Sequence, residues 1–166
     1  ADALSGLESL RERIATAVLG TVSAQGSPAA SYAPYIVDSA GNFYVYISAM
    51  AKHTGNLKRT RQSSLMLVED EGHADSLFAR KRVTWDCHVE VIERDSEAFN
   101  ERIQQFTEKF GDIVTNLASM TDFTLFRLLP EDGVLVLGFG KAYRLDGWSI
   151  ANHKTGRNGS GHQRKR

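Results

Sequence analysis

Three adjacent cations, Arg80-Lys81-Arg82, stand between an acidic turn, Glu69-Asp70-Glu71, and a long alternating run that ends at Arg94. A compact sheet protein gains little from such a step. At a strand mouth it suits an anion, either a phosphate or the propionates of a porphyrin, held by charge-assisted hydrogen bonds. The plainer reading is a solvated helix end favoured by the helix dipole. Arg82 is the best candidate of the three, because alternation puts it on one strand face with Thr84, Asp86 and His88. His53, flanked by Lys52 and followed by Lys58 and Arg59, reads either as a hydrogen-bonded core histidine or as a ligand-lining group at the same basic mouth. His162 lies in a glycine-rich, cationic terminal stretch, next to Gly161 and ahead of Arg164, Lys165 and Arg166. A frayed terminus is its plain reading. Its sharper reading is a flexible imidazole that closes over a flat cofactor and gives haem iron an axial nitrogen, with His153 as a competing ligand. Asp122 is, plainly, a turn cap. Beside an iron-bound histidine it would accept the other ring N–H and raise the ligand's electron donation.

Other familiar chemistry is missing from the sequence. There is no Cys-x-x-Cys, His-Glu-x-x-His or Cys-x-x-Cys-His, so standard zinc sites and covalent c-type haem attachment are unsupported. Gly138-x-Gly140 lacks the third glycine and the following helix of a dinucleotide fingerprint. At 166 residues the chain suits one domain with a real core, and 42% hydrophobic with 24% charged residues is ordinary globular composition. Zero formal charge gives no general attraction to nucleic acid or anionic lipid. A single cysteine, Cys87, excludes an internal disulfide and points to a reducing compartment. No apolar run approaches the ~20 residues of a membrane helix, and no signal pattern opens the chain. The expectation is a cytoplasmic protein without membrane insertion or nucleic-acid partner.

These residues need elements to position them. Spacing predicts a helix over residues 2–14, then strands over 17–22, 28–38 and 43–48, with turns at Ser23–Gly26 and Asp38–Asn42. A short crossover helix follows over 51–59, then a strand over 64–68. Residues 82–92 alternate most clearly, with Val83, Trp85, Cys87, Val89 and Val91 on one face. Asp95 is the predicted cap of a helix striped by Phe99, Ile103, Phe106 and Phe110 and closed by Gly111. Strands over 123–128 and 134–137 are predicted either side of a Pro130-Glu131-Asp132-Gly133 turn, with one more strand after Gly140. Hairpin-joined strands with short helices between them suit a mainly β, α+β fold: an antiparallel split β-barrel with short packing helices. The barrel is expected over residues 1–146 and a flexible basic tail over 147–166.

Four segments in order, SYAPYIVDSAGNFYVYIS, KHTGNLKRTRQSSLMLVEDE, LFARKRVTW and TDFTLFRLLPEDGVLVLGFGKAY, resemble the HutZ/HugZ haem-utilisation family. That family belongs to the pyridoxamine-phosphate-oxidase-like, FMN-binding split β-barrel superfamily, and the resemblance covers roughly residues 15 to 145. It implies a homodimer with ligand sites at the subunit interface, haem as substrate and cofactor, and oxidative opening of the macrocycle to release iron. It further implies a haem-delivery protein and an external electron donor. By position it makes His162 the axial iron ligand, Asp122 of the other subunit the carboxylate that polarises it, and His53, Arg82 and Lys81 residues of the haem site. The superfamily also offers an FMN-dependent oxidoreductase, with Lys52, Lys58 and Arg82 on the flavin phosphate, and a non-catalytic haem carrier or store stays open beside it.

Overall fold

A computed structural model describes residues 2–120 and 122–151 of the chain. The elements follow one another as α1 (Asp2–Arg13), β1 (Thr16–Val22), β2 (Pro28–Pro34), β3 (Ile36–Val37), β4 (Phe43–Ser48), α2 (Lys52–Thr60), β5 (Gln62–Val68), β6 (Arg82–Ile92), α3 (Glu97–Phe110), α4 (Ile113–Ala118), β7 (Phe123–Gly138), β8 (Lys141–Asp146) and β9 (Ser149–Ile150). Two single 3₁₀ turns, Glu71–His73 and Leu77–Ala79, lie between β5 and β6. All strand pairs are antiparallel, in the order β2-β1-β5-β6-β7-β4-β3, with β8 added beside β7 and β9 beside β8. The sheet curls until β2 approaches β4 without joining its ladder. The expected split barrel is the result.

Alternation decides which residues fill it. Leu19, Leu65, Leu67, Val83, Trp85 and Leu135 point inward and are fully buried, and α1 closes one side with Leu7 and Leu10. The strand β4 is buried on both faces. Phe43, Val45 and Ile47 enter the barrel core, while Tyr44 and Tyr46 lie under α3 and α4 with Phe99, Phe106 and Val114. The α3 stripe predicted from helical spacing is therefore the cover of β4's outer face.

Three local expectations are corrected. Residues 28–38 form two strands, because the chain changes ladder partner from β1 to β4 across Tyr35, whose ring enters the core and whose hydroxyl donates to the Ile14 carbonyl. The cap of α3 is Ser96, whose Oγ accepts the Phe99 N–H at 3.2 Å, while Asp95 occupies the left-handed region at φ 62°. Pro130-Glu131-Asp132-Gly133 is no turn: β7 runs through it as one 16-residue strand. The four residues form a bulge, with Cys87 opposite Pro130 and Trp85 opposite Gly133. Glycine is required there by close approach, since a Cβ on Gly133 would sit 2.5 Å from Trp85 Cδ1.

The sheet continues past residue 146. Trp148 stacks on Phe43 at 5.7 Å between centroids, and its Nε1 donates to the Gly41 carbonyl at 2.7 Å. Trp85 Nε1 donates to the Gly147 carbonyl, also at 2.7 Å, so the last hairpin is tied to the barrel's centre.

Candidate functional site

The predicted residues fall into two groups. The first is the corner where β4 hands over to α2. Ser48 ends β4 opposite Phe123, so the start of β7 and the start of α2 meet there. Ser48 Oγ donates to Asp122 Oδ2 at 3.3 Å, the Ala49 N–H donates to the Asp122 carbonyl at 2.7 Å, and Thr54 Oγ1 donates to the Ser48 carbonyl at 2.5 Å. Asp122 is exposed, and its carboxylate is held by this one hydroxyl among the described residues. One residue before Thr54, His53 is 8% exposed and its Nδ1 lies 2.5 Å from Ser31 Oγ on β2. Burial holds the His53 imidazole below its ordinary pKa, so it is neutral at neutral pH. Asp122 and His53 thus flank the β4–α2 connection, Asp122 held by Ser48 and His53 by Ser31.

The second group is the basic step. Arg80 is absorbed by the acidic turn: its guanidinium donates to the Glu69 carbonyl, 3.1 Å from Nε, and lies 3.9 Å from Glu71 Oε1. Lys81 donates its backbone N–H to Glu69 Oε2 at 2.6 Å. Its side chain lines a cleft of about 340 Å³ between α1 and the acidic turn, with Arg13, Asp70 and His73. Arg82 differs. It is half-buried at the head of β6, and among the described residues its guanidinium makes one hydrogen bond, to the Arg80 carbonyl at 2.9 Å. Donors remain for a carboxylate or phosphate. Lys52 and Lys58 are exposed on α2.

Arg82 and Asp122 stand apart in one chain. β6 is 11 residues long, so at about 3.3 Å per residue its ends lie roughly 30 Å apart. Arg82 starts it; Ile92, at its far end, pairs with Leu125 near Asp122. Between them the outer face of the sheet carries a cross-strand row, Tyr32, Val18, Met66, Thr84 and Val134. Tyr32 is 69% and Val134 47% exposed. A cleft of about 540 Å³ continues this face past Gly20, Gln62, Ser64 and Asp86. A mostly apolar row is thus left on the outside of the split barrel.

His162 and His153 lie outside the described residues, as does Thr121. Among the described residues no three histidine, cysteine or acidic side chains are grouped to hold a metal ion, and no helix is long and apolar enough to cross a membrane. Cys87 is no thiolate: burial, aided by Asp86 and Glu131, pushes its pKa up to about 12. Sequence reasoning missed Ser31 and Ser48, whose roles depend on strand register that no local pattern encodes.

The pyridoxamine 5′-phosphate oxidase family model matches residues 7–136. The chain belongs to that family. Within the family it groups with the HutZ haem-utilisation proteins. It is 45% identical over 141 residues to heme oxygenase HutZ of Vibrio cholerae, covering 85% of this chain and 80% of that one. A crystal structure of Vibrio cholerae HutZ, there called a heme storage protein, superposes with a TM-score of 0.77 at 42% identity, covering 81% of this chain and 96% of that one. Campylobacter jejuni ChuZ superposes with a TM-score of 0.80 at 30% identity, covering 88% of this chain and 60% of that one. These family members share the split-barrel frame in which both residue groups are set.

Proposed function

We propose that two copies of this chain pair through the outer face of the sheet, bind haem at the junction and open its ring to release iron. One observation carries the reading. Arg82 heads β6 while Asp122 lies beside its far end, so a single site that uses both needs a second copy to bring them together. The 45% identity to a heme oxygenase supports the same substrate.

The residues fit haem as a ligand. Arg82 has guanidinium donors left for a propionate, and the adjoining face offers Val, Met and Tyr side chains to a flat apolar ring. Lys81 opens onto the α1 cleft, so the propionate contact is assigned first to Arg82 and only secondarily to Lys81. His162 would hold the iron through one ring nitrogen, and Asp122 of the partner copy would accept the N–H of the other. This bond fixes the tautomer and makes the imidazole a stronger donor. His53, neutral and oriented by Ser31, lines the pocket without competing as a cation for propionates. When bound, haem supplies the redox iron and is itself the molecule oxidised, with electrons from an external donor and oxygen from solution.

Two other readings have specific support. The family match favours a flavin oxidoreductase, with Lys52, Lys58 and Arg82 toward the FMN phosphate. The heme storage description of Vibrio cholerae HutZ favours a carrier. One titration separates the three. Purified protein given haemin develops a Soret band, and ascorbate in air then bleaches it if the ring is opened. A persistent band identifies a store; a yellow protein indifferent to haemin identifies a flavoprotein. Loss of the band in His162→Ala but not in His153→Ala assigns the ligand; the reverse result overturns that assignment.

A further inference from the structure

Just beyond the end of β6, Arg94 projects its guanidinium into the junction between α4 and β7, the turn that carries Asp122. One terminal nitrogen donates to the Ala118 carbonyl at 2.6 Å and the Met120 carbonyl at 3.2 Å. The other donates to the Phe123 carbonyl at 3.4 Å and the Tyr46 hydroxyl at 3.3 Å. The plane of the group lies over Phe99, 5.4 Å from the ring centroid. Among the described residues no carboxylate pairs with it. Three of its four hydrogen bonds therefore go to backbone carbonyls that precede and follow Asp122.

We infer that Arg94 is the positioning residue for Asp122. This rests on the reading that Asp122 polarises the axial histidine. Among the described residues, Asp122 is anchored to the β4–α2 corner by Ser48 Oγ on its carboxylate and the Ala49 N–H on its carbonyl. Arg94 adds a second hold on the turn. Its flat fork bridges carbonyls from both flanks of the turn at once, which sets the direction in which the exposed carboxylate leaves the surface. A lysine ammonium is a single point on a flexible stem and cannot span them in the same geometry. The tyrosine hydroxyl and the Phe99 ring hold the fork flat, so the α3 stripe acts on the site through Arg94. A carboxylate that must meet an imidazole N–H across a subunit boundary tolerates little angular drift, because such a bond weakens steeply off line.

Arg94→Lys tests this in the full chain, with amide hydrogen exchange of residues 118–123 measured without haemin. The iron–histidine stretching frequency and the haem degradation rate are then measured with haemin. Expected are faster exchange in the turn, unchanged haemin stoichiometry, a stretching frequency moved toward that of Asp122→Asn, and degradation slowed roughly 10-fold, the lower end of outer-shell effects. Arg94→Lys/Asp122→Asn should be no slower than Asp122→Asn alone. Additive losses, or a frequency left at the wild-type value, overturn the inference. If Arg94→Lys does not fold, Tyr46→Phe removes one contact of the fork and should shift frequency and rate in the same direction by less; no shift overturns it equally. Should Asp122→Asn itself leave frequency and rate unchanged, the Asp122 reading falls and the inference with it. Should Asp122→Asn act while Arg94→Lys does not, Arg94 alone is wrongly assigned.

Discussion

Ser48 Oγ lies 3.3 Å from Asp122 Oδ2, joining residues 74 positions apart at the corner where β4, α2 and β7 meet. The same oxygen accepts the Met50 N–H at 3.2 Å, which orients its proton toward the carboxylate. Ser48→Ala should keep the fold, because the Ala49 N–H still holds the Asp122 carbonyl at 2.7 Å. An exposed neutral-to-charged bond of this kind is worth about 1 kcal/mol, so haem degradation should slow by about fivefold with haemin binding retained. Stopped-flow bleaching of the Soret band measures both. A loss as large as that of Asp122→Asn would mean that Ser48 itself meets the ligand.

Arg82 should matter for affinity. Arg82→Ala removes a charge-assisted contact worth about 1.5–3 kcal/mol, or roughly ten- to a hundredfold in the haemin dissociation constant. Lys81→Ala, whose ammonium opens onto the α1 cleft, should change it much less. Equal effects from the two would return the whole basic step to a diffuse electrostatic role. The check is a fluorescence-quenching titration at two salt concentrations.

Pairing through the sheet's outer face has a direct test. Val134 is 47% exposed and belongs to the apolar row, so Val134→Glu costs a single chain little but buries a carboxylate against its copy in a dimer. Sedimentation equilibrium should show a dimer for the wild type and a monomer for the variant, with haemin affinity lost in parallel. A wild-type monomer that binds haemin normally would refute the shared site.

Acid should weaken the fold through His53. Its folded-state pKa lies below the ordinary 6.5 because burial opposes the charge. The unfolded chain therefore binds more protons in the window between the two values. Stability attached to neutral His53 is fully present above pH 6.5 and is lost as pH falls through the folded-state pKa. Melting temperatures followed downward from pH 7 should fall more steeply for the wild type than for His53→Gln. Parallel curves would show that His53 contributes nothing to the slope.

Gly133→Ala discriminates a bulge from a turn. A methyl there would lie 2.5 Å from Trp85 Cδ1 and 2.9 Å from the Thr84 carbonyl, and the Trp85 ring is fully buried. Overpacking of this kind costs about 1–3 kcal/mol, which a chemical denaturation midpoint resolves easily. A neutral effect would restore the turn.

Much of the frame was legible from residue order. The alternation of Val83, Trp85, Cys87 and Val89, the stripe of α3 and the Ser23–Gly26 turn each state a local period or a local dihedral need, and all three appear in the structure. The segments running from SYAP to GFG-x-AY carried the family. Where a long-range partner sets the geometry, local reading failed. Pro-Glu-Asp-Gly has turn chemistry, but pairing with β6 on one side and β8 on the other carries β7 straight through it. The acidic turn and the basic step are adjacent in sequence, yet only folding showed that Arg80 is consumed by Glu69 and Glu71 while Arg82 keeps donors to spare. Asp122 and His53 could be named from their motifs. That Ser48 holds Asp122 and Ser31 holds His53, and that Arg82 stands at the other end of β6 from Asp122, follows from strand register, which is a property of paired chains and is written in no single segment.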